Sequence, residues 1–579
     1  MYPLHHTPKR FLREGVWGNR SAVAAVRQSD GAEVHFGTAG ACATTMPKCG
    51  RTFFLKSLLP QRPPVPSLAK GNTMNPTILT LDAGTTGLKC SVIDREGRVL
   101  SEAVSAYGIN YPASGWAEQP AEWFINACRN AVRRVLPGVN SHDIAAIGLT
   151  GTMNGLIPVD ENGDALFPNI IHADTRAVAE LDDIRAVISE KDYYQRTGNR
   201  LDVHFSLPKL LWLKKNRPAV YQKARWFVQT KDALYGFLTG RPGLSDFSDA
   251  GLTGAVCIEK GIFDRELLQS LSLDPEKMPE LLRSDDVSGK LNERAAGLLG
   301  LPAGIPVSAG GGDGAAATLG AGLFNEDGAY CNIGSSAWVA KLSKRPVIDE
   351  GKRIHNYASM DGGHFTICGT VQSGAASLEW AAENLVLASR PFDRAGILEM
   401  EKLARESVPG ARGVFFLPTL VGERTPWWDP HARGTLIGVS LHHTRADIAR
   451  AAYEGVCEAM LLCGGVLREN GLALDRLVLI GGGAESGVWP QMFADLFGAP
   501  VAVHRSPRNA TALGAAMAAG VGVGLFRDYR EAAKMARVGE AVIPEGDRER
   551  YRRHYEVYKM LYGELKGAYR RIYWYQNEG

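Results

Sequence analysis

Asp313 stands in Gly310-Gly311-Gly312-Asp313-Gly314, between an apolar run at 305–309 and a small-residue run at 315–323. That order predicts a strand, a tight glycine turn and a helix with an acid in its first turn. Glycine lets a backbone or a ligand come close, and a helix N-terminus attracts anions. A carboxylate placed there is well positioned to act on something next to a phosphate. The alternative is an Asp that only caps its helix.

Three further turns carry related chemistry. Asp82-Ala83-Gly84-Thr85-Thr86-Gly87 lies between two apolar runs and predicts a β-hairpin. Its tip offers backbone N–H groups and two hydroxyls to a phosphate, and Asp82, closing the first strand, could hold a metal directly or through water. Gly334-Ser335-Ser336 repeats that arrangement past mid-chain. Gly481-Gly482-Gly483-Ala484, followed by Ser486, again reads strand, glycines, helix. Each half thus opens with a hairpin and later carries a strand–glycine–helix turn, a duplication of architecture rather than of sequence.

These turns need a layered scaffold. From Met74 onward strands alternate with helices, which implies α/β layers. At 579 residues two or three domains are expected. No Gly-x-x-x-x-Gly-Lys-Ser/Thr occurs, which argues against a P-loop enzyme. Gly310-x-Gly312 has the shape of a dinucleotide fingerprint, but a hairpin rather than a strand ending in an acid follows it. Gly520-Val-Gly522-Val-Gly524 follows an alanine-rich helix and is set aside.

Taken together, the chain resembles the FGGY carbohydrate kinases, the sugar-kinase branch of the actin-like ATPases. Gly434 to Val439, then Asp447-Ile-Ala-Arg-Ala451-Ala-Tyr-Glu454, is similar to that family's carboxy-terminal signature. Ser206-Leu-Pro-Lys209-Leu-Leu-Trp212 is similar to the upstream one, which His204 alone breaks at its first position. The resemblance spans roughly residues 76 to 530. It implies two ribonuclease-H-like domains with ATP and sugar meeting in the cleft between them. The implied boundaries are a leader at 1–73, an N-terminal domain at 74–322, a C-terminal domain at 323–530 and a helical extension at 531–579. It further implies Gly84, Thr85, Thr86 and Gly87 as a first phosphate loop with Asp82 near Mg²⁺. Gly334, Ser335 and Ser336 become the second loop, Gly482, Gly483, Ala484 and Ser486 line the adenosine pocket, and Asp313 is the catalytic base. An ordinary Asp pKa of about 3.9 would leave Asp313 ionised at pH 7, with its proton arriving late in the transfer.

The acceptor side departs furthest from the family. Thr152-Met153-Asn154-Gly155 lies where xylulokinases carry Gln-Met-His-Gly, and His172-Ala173-Asp174-Thr175-Arg176 where the family has Trp-Asn-Asp-x-Arg. Met153, Asn154, Asp174, Arg176 and Trp116 are the expected acceptor ligands, together with Asp313. Trp116 could instead pack a surface loop, and His172 is expected to be a satisfied histidine at a strand end. Asp246 and Asp249 read as loop or cap acids. The pattern is nearest a xylulokinase, with ribulose, glycerol, erythritol and related acceptors as alternatives. An NAD-dependent dehydrogenase and a non-catalytic actin-like sugar sensor are the remoter readings.

Composition is that of a soluble globular protein, with a formal net charge of +3 that calls for neither nucleic acid nor an anionic membrane. No apolar run approaches the roughly 18 residues that span a bilayer. Residues 1–73 carry ten Lys/Arg against three acids and read as a disordered or non-native leader, with a transit segment as the alternative. Nine scattered cysteines fit small buried hydrophobes in a reducing cytoplasm. The charged, tyrosine-rich tail predicts a terminal amphipathic helix on the second domain. No motif speaks to oligomeric state, and a homodimer is one alternative.

Overall fold

The computed structural model describes residues 75–388 and 390–577. The expectation for residues 1–73 lies outside them. Two seven-stranded mixed sheets organise the described chain. The first is built from β1 (Thr77–Ala83), β2 (Gly87–Asp94), β3 (Val99–Ala106), β4 (Ile144–Gly151), β5 (Gly289–Lys290) and β6 (Pro306–Val307), in the order β5-β6-β4-β1-β2-β3, with Gly311–Gly312 pairing on β4. The second uses β7 (Ala329–Ile333), β8 (Ala337–Ser343), β9 (Phe365–Val371), β10 (Leu477–Ile480), β11 (Val501–His504) and β12 (Val538–Val542). Its order is β9-β8-β7-β10-β11-β12, with His355–Ala358 added outside β9.

Read from β3 and from β9, the pairings run identically: antiparallel, antiparallel, parallel, parallel, antiparallel. The duplication inferred from glycine turns is therefore a duplication of sheet topology. The described residues include no helix long and apolar enough to cross a membrane.

Helices cover the sheets by ordinary amphipathic logic. In α1 (Ala121–Val135) the buried Phe124, Ala127, Cys128, Ala131, Val132 and Val135 recur at three- and four-residue spacing, and that stripe packs on β2 and β3. The matching helix of the second lobe, α4 (Arg445–Glu469), begins at a capping box. Thr444 receives the Ala446 N–H, and the Asp447 carboxylate receives the Thr444 N–H at 2.9 Å.

The lobes meet through two small-residue helices. Here α3 (Asp313–Gly320) and α5 (Ala510–Gly522) cross so closely that a Cβ on Gly514 would lie 1.9 Å from the Ala316 carbonyl oxygen. The same α5 also packs on β1 and β4 of the first sheet. A segment carried by the second half of the chain therefore helps build the core of the first.

The carboxy-terminal end differs from expectation. Residues 531–579 are not helical throughout, because β12 first closes the second sheet beside β11. Its residues are exposed or half-buried and give no hydrophobic run to read, since an edge strand buries little of either face. The helix that follows, α6 (Arg548–Asn577), packs against α4: the Tyr558 hydroxyl donates to the Gly455 carbonyl and His554 pairs with Glu458 at 2.8 Å.

Candidate active site

The Asp313 turn is shaped by backbone crowding. Gly310 has φ +70°, and a Cβ there would sit 2.0 Å from the Leu149 carbonyl oxygen, so only glycine can bring this loop beside β4. Gly312, not Asp313, occupies the capping position of α3. The Asp313 carboxylate instead accepts the Gly314 N–H at 2.7 Å and leaves part of its surface open to the cleft. Burial of the rest, then the neighbouring Asp82 charge, raises its pKa to about 7 against the opposing Gly314 hydrogen bond. The ordinary value expected from sequence is thus overturned, because the enclosure that raises it comes from other segments of the chain. A base titrating near the working pH suits general-base catalysis better than a fully ionised carboxylate.

Both predicted hairpins form. In the first, Asp82 pairs across to Lys89 and the Gly84 N–H reaches the Gly87 carbonyl at 3.0 Å. Gln119 donates to the Thr85 carbonyl at 2.7 Å, and the Tyr107 hydroxyl donates to that of Gly84. The carbonyls of the tip are thereby engaged from below. Burial also raises the Asp82 pKa, Lys89 opposing it and Glu102 adding to it.

In the second hairpin the Gly374 and Ala375 N–H groups occupy the carbonyls of Ser335 and Gly334 at 2.7 and 2.8 Å, leaving Ser335 and Ser336 exposed at the tip. The third turn leans on this one. Gly481, at φ +84°, lies so close to β7 that a Cβ would be 2.6 Å from the Ile333 carbonyl oxygen. Gly482 and Gly483 follow in a half-buried 3₁₀ turn, and Ala484 is buried beneath it. Ser486 Oγ accepts the Val488 N–H at 3.1 Å, so its oxygen serves the start of the next helix.

Two cations link the turns. Lys89 Nζ donates to the Arg508 carbonyl at 2.6 Å and to Asn509 Oδ1 at 2.9 Å. The Arg508 guanidinium lies against Gly482 and pairs with Glu485 at 2.9 Å. The first hairpin is thereby tied to the glycine turn of the opposite lobe.

On the acceptor side Met153 is buried against the Asp313 turn, and Asn154 adopts the left-handed backbone at φ +68°. Its N–H donates to Gln229 Oε1 at 2.6 Å, and its carbonyl accepts from Lys209 Nζ at 2.7 Å. The same ammonium reaches the Ile171 and His204 carbonyls at 2.8 and 2.7 Å. Lys209 is buried, which lowers its pKa to about 7, with Asp174 and Asp202 opposing the shift. Lys209 thus holds the backbone at two departures from the family pattern, Asn154 and His204, and at Ile171 directly before a third, His172. Thr85, Thr152, Met153, Gly155 and His172 line one small cavity here.

Three expected acceptor ligands stand behind that cavity rather than in it. Asp174 and Arg176 are sealed from solvent and paired at 2.7 Å, Arg176 also holds Glu118 at 2.7 Å, and Asp174 Oδ2 accepts the Ala117 N–H at 2.5 Å. Trp116 packs on this knot, 3.9 Å from the Arg176 guanidinium carbon and edge-on to Trp212. Their charges are paired with one another, so they form the wall. His172 is the reverse case. Expected to be satisfied, it has no hydrogen-bond partner at Nδ1, and neither has Asn154 at Oδ1.

Asp246 also does more than cap, and Asp249 is buried with its carboxylate 3.8 Å from Lys231 Nζ. Asp246 does cap a short helix, but it further joins Lys231 at 3.2 Å and accepts from Ser248 Oγ at 2.6 Å. Ser248 Oγ in turn accepts the Gly312 N–H at 3.1 Å. This buried network props the Asp313 turn. A lysine in an otherwise apolar helical stretch was the one sequence signal for it, as for Lys209.

The fold is that of the two-lobed ribonuclease-H-like, actin-like ATPases. Structures of a gluconate kinase and a ligand-bound xylulose kinase, both from Lactobacillus acidophilus, superpose with TM-scores of 0.79 and 0.79 at 25% and 25% identity. They cover 86% of this chain and 100% and 99% of their own. Models of the N-terminal and C-terminal domains of the FGGY family of carbohydrate kinases match residues 77–320 and 329–523. The chain belongs to the FGGY family of carbohydrate kinases, and it is an ATP-dependent sugar kinase. A xylulose kinase of Staphylococcus xylosus is 30% identical over 84% of this chain and 99% of its own length. A glycerol kinase of Trichlorobacter lovleyi is 32% identical over 82% and 95%.

Proposed function

We propose that the chain transfers the γ-phosphoryl group of ATP to a hydroxyl of a small ketose, D-xylulose first, giving D-xylulose 5-phosphate. The observation that carries this reading is the pair Asp313 and Asp82, two carboxylates facing one cleft, with unpartnered polar groups of the acceptor loops beside them. The xylulose kinases among the relatives support the choice of sugar.

In this reading Asp313 accepts the proton of the attacking hydroxyl as the bond to phosphorus forms. The tips at Gly84, Thr85, Thr86, Gly87 and at Gly334, Ser335, Ser336 supply N–H and hydroxyl donors to the phosphate oxygens. Gly482, Gly483 and Ala484 bound the adenosine side, with Ser486 holding the turn in shape. Met153 and Asn154 meet the acceptor, and Asp174, Arg176 and Trp116 hold the wall behind them. Domain limits at 74–322 and 323–530 suit this division of labour, with the second lobe extended to β12.

Mg²⁺ fits the residues present. No group of three or more ligating side chains occurs among the described residues, while one unpaired carboxylate, Asp82, stands at the phosphate loop. Magnesium commonly takes only one or two carboxylates and completes its shell with phosphate and water. When bound it would neutralise charge on the phosphates.

The test is coupled ADP release across D-xylulose, ribulose, glycerol and erythritol, with Asp313→Asn as control. The expected result is stimulation by a ketose, most by D-xylulose. Asp313→Asn should keep its nucleotide KM and lose about 10²–10⁴ in kcat. No stimulation by any acceptor, or near-wild-type turnover in the variant, sinks the reading.

A further inference from the structure

Two loops approach the acceptor cavity, and one buried ammonium binds both. Lys209 Nζ donates to the Asn154 carbonyl at 2.7 Å and to the Ile171 carbonyl at 2.8 Å, which ties the backbone just before His172 to that of Asn154. Gln229 fixes the other end of the Asn154 peptide at 2.6 Å. With its backbone clamped on both sides, the Asn154 side chain cannot retreat to find a partner, and its carboxamide oxygen has none. His172 lines the cavity with its Nδ1 equally unpartnered. Buried polar atoms in native proteins are almost always satisfied, so two orphans on adjoining, rigidly held loops mark a place where something else supplies the partner.

The imidazole is kept neutral here. Burial pushes its pKa down to about 3, and Lys209, Arg424 and His204 act in the same direction. His204 is itself held by Asp202 at 2.5 Å. A neutral imidazole nitrogen and a carboxamide oxygen are matched to hydroxyl groups, which donate to one acceptor while accepting from another donor.

We propose that His172 is an acceptor-binding and specificity-determining residue, which together with Asn154 holds the hydroxyl groups of a ketose or polyol, and that Lys209 is the positioning residue for both. This rests on the kinase reading above and adds to it the group that reads the acceptor. A site built around a hydroxyl rejects the analogue lacking it far more strongly than an apolar pocket rejects a missing methylene. The enzyme should therefore discriminate sharply against acceptors deoxygenated at the position that His172 meets.

The experiment uses the full chain with His172→Ala, His172→Gln and Asn154→Ala. Two readouts are taken: KM for the best acceptor against KM for ATP, and stabilisation by that acceptor alone in thermal unfolding without nucleotide. The expected result for His172→Ala is an acceptor KM at least tenfold higher, loss of acceptor-induced stabilisation and an ATP KM within twofold of wild type. His172→Gln should recover part of the loss, and Asn154→Ala should resemble His172→Ala. Should the alanine variant not fold, His172→Gln and singly deoxygenated acceptors on the wild-type chain carry the comparison. One deoxy position should then cost the wild type tenfold or more and the glutamine variant less. An acceptor KM within twofold of wild type in His172→Ala, or ATP and acceptor KM rising together, overturns the proposal while leaving the kinase intact. A wild-type chain that no acceptor stimulates or stabilises overturns both.

Discussion

The hairpins of the two lobes share one geometry and differ in the residue that leads into the turn. Each has an antiparallel turn of the same size, continued by a parallel neighbour in the same place in its sheet. In the first, the residue two before the glycine is Asp82; in the second it is Asn332, whose carboxamide packs beside Gly481 of the third turn. One lobe thus sends a carboxylate toward Asp313, and the other sends a neutral amide toward the nucleotide side. In the proposed reading this near-identical scaffold would hold phosphate from both flanks, and the carboxylate of Asp82 would mark the flank where chemistry occurs.

The sharpest way to break that asymmetry is Asp82→Asn, which makes the first tip resemble the second. Turnover should fall about 10²–10³-fold, as when one preorganised electrostatic group is lost, with the fold intact by circular dichroism. A loss under tenfold would mean the two hairpins are interchangeable. The converse, Asn332→Asp, sets a second negative charge against the nucleotide phosphates. An increase of about tenfold in the KM for ATP is expected, with the acceptor KM unchanged, since like charges at close range oppose binding.

The smallest effect concerns how the second lobe keeps its cleft face neutral. His355 is buried between Phe205 and Trp428, and burial lowers its pKa to about 4. Between that value and the ordinary 6.5 the unfolded chain binds a proton that the native chain refuses. Stability contributed by the neutral imidazole is therefore present above pH 6.5 and is lost as pH falls through this window. Denaturant unfolding at pH 6.5 and 5.5 should differ by about 1 kcal/mol from this residue, and His355→Phe should remove that increment. An unchanged difference in the variant would move the acid sensitivity elsewhere.

Much of the phosphate side was legible because its chemistry is local. Gly84, Thr85 and Thr86 share one tip and Gly334, Ser335 and Ser336 the other, and each hairpin assembles its tip from neighbours in sequence. The acceptor side was legible only as a list of candidates. Asp174 and Arg176 were expected to meet the acceptor and instead pair with each other at 2.7 Å, while the second partner of Arg176, Glu118, is supplied by a separate strand. The edge strand β12 escaped notice because it buries too little to leave a pattern.

The sequence by itself determined the turns, the doubled order of strands and the acids at the first hairpin and at the Asp313 turn, since glycine placement and hydrophobic period act over short stretches of chain. Only the tertiary structure decided the state of those groups. Enclosure by distant segments raises Asp313 to about 7, holds three loops on Lys209, and leaves His172 and Asn154 without partners. Desolvation and hydrogen-bond satisfaction depend on everything that surrounds an atom, and most of what surrounds these atoms lies tens to hundreds of residues away along the chain.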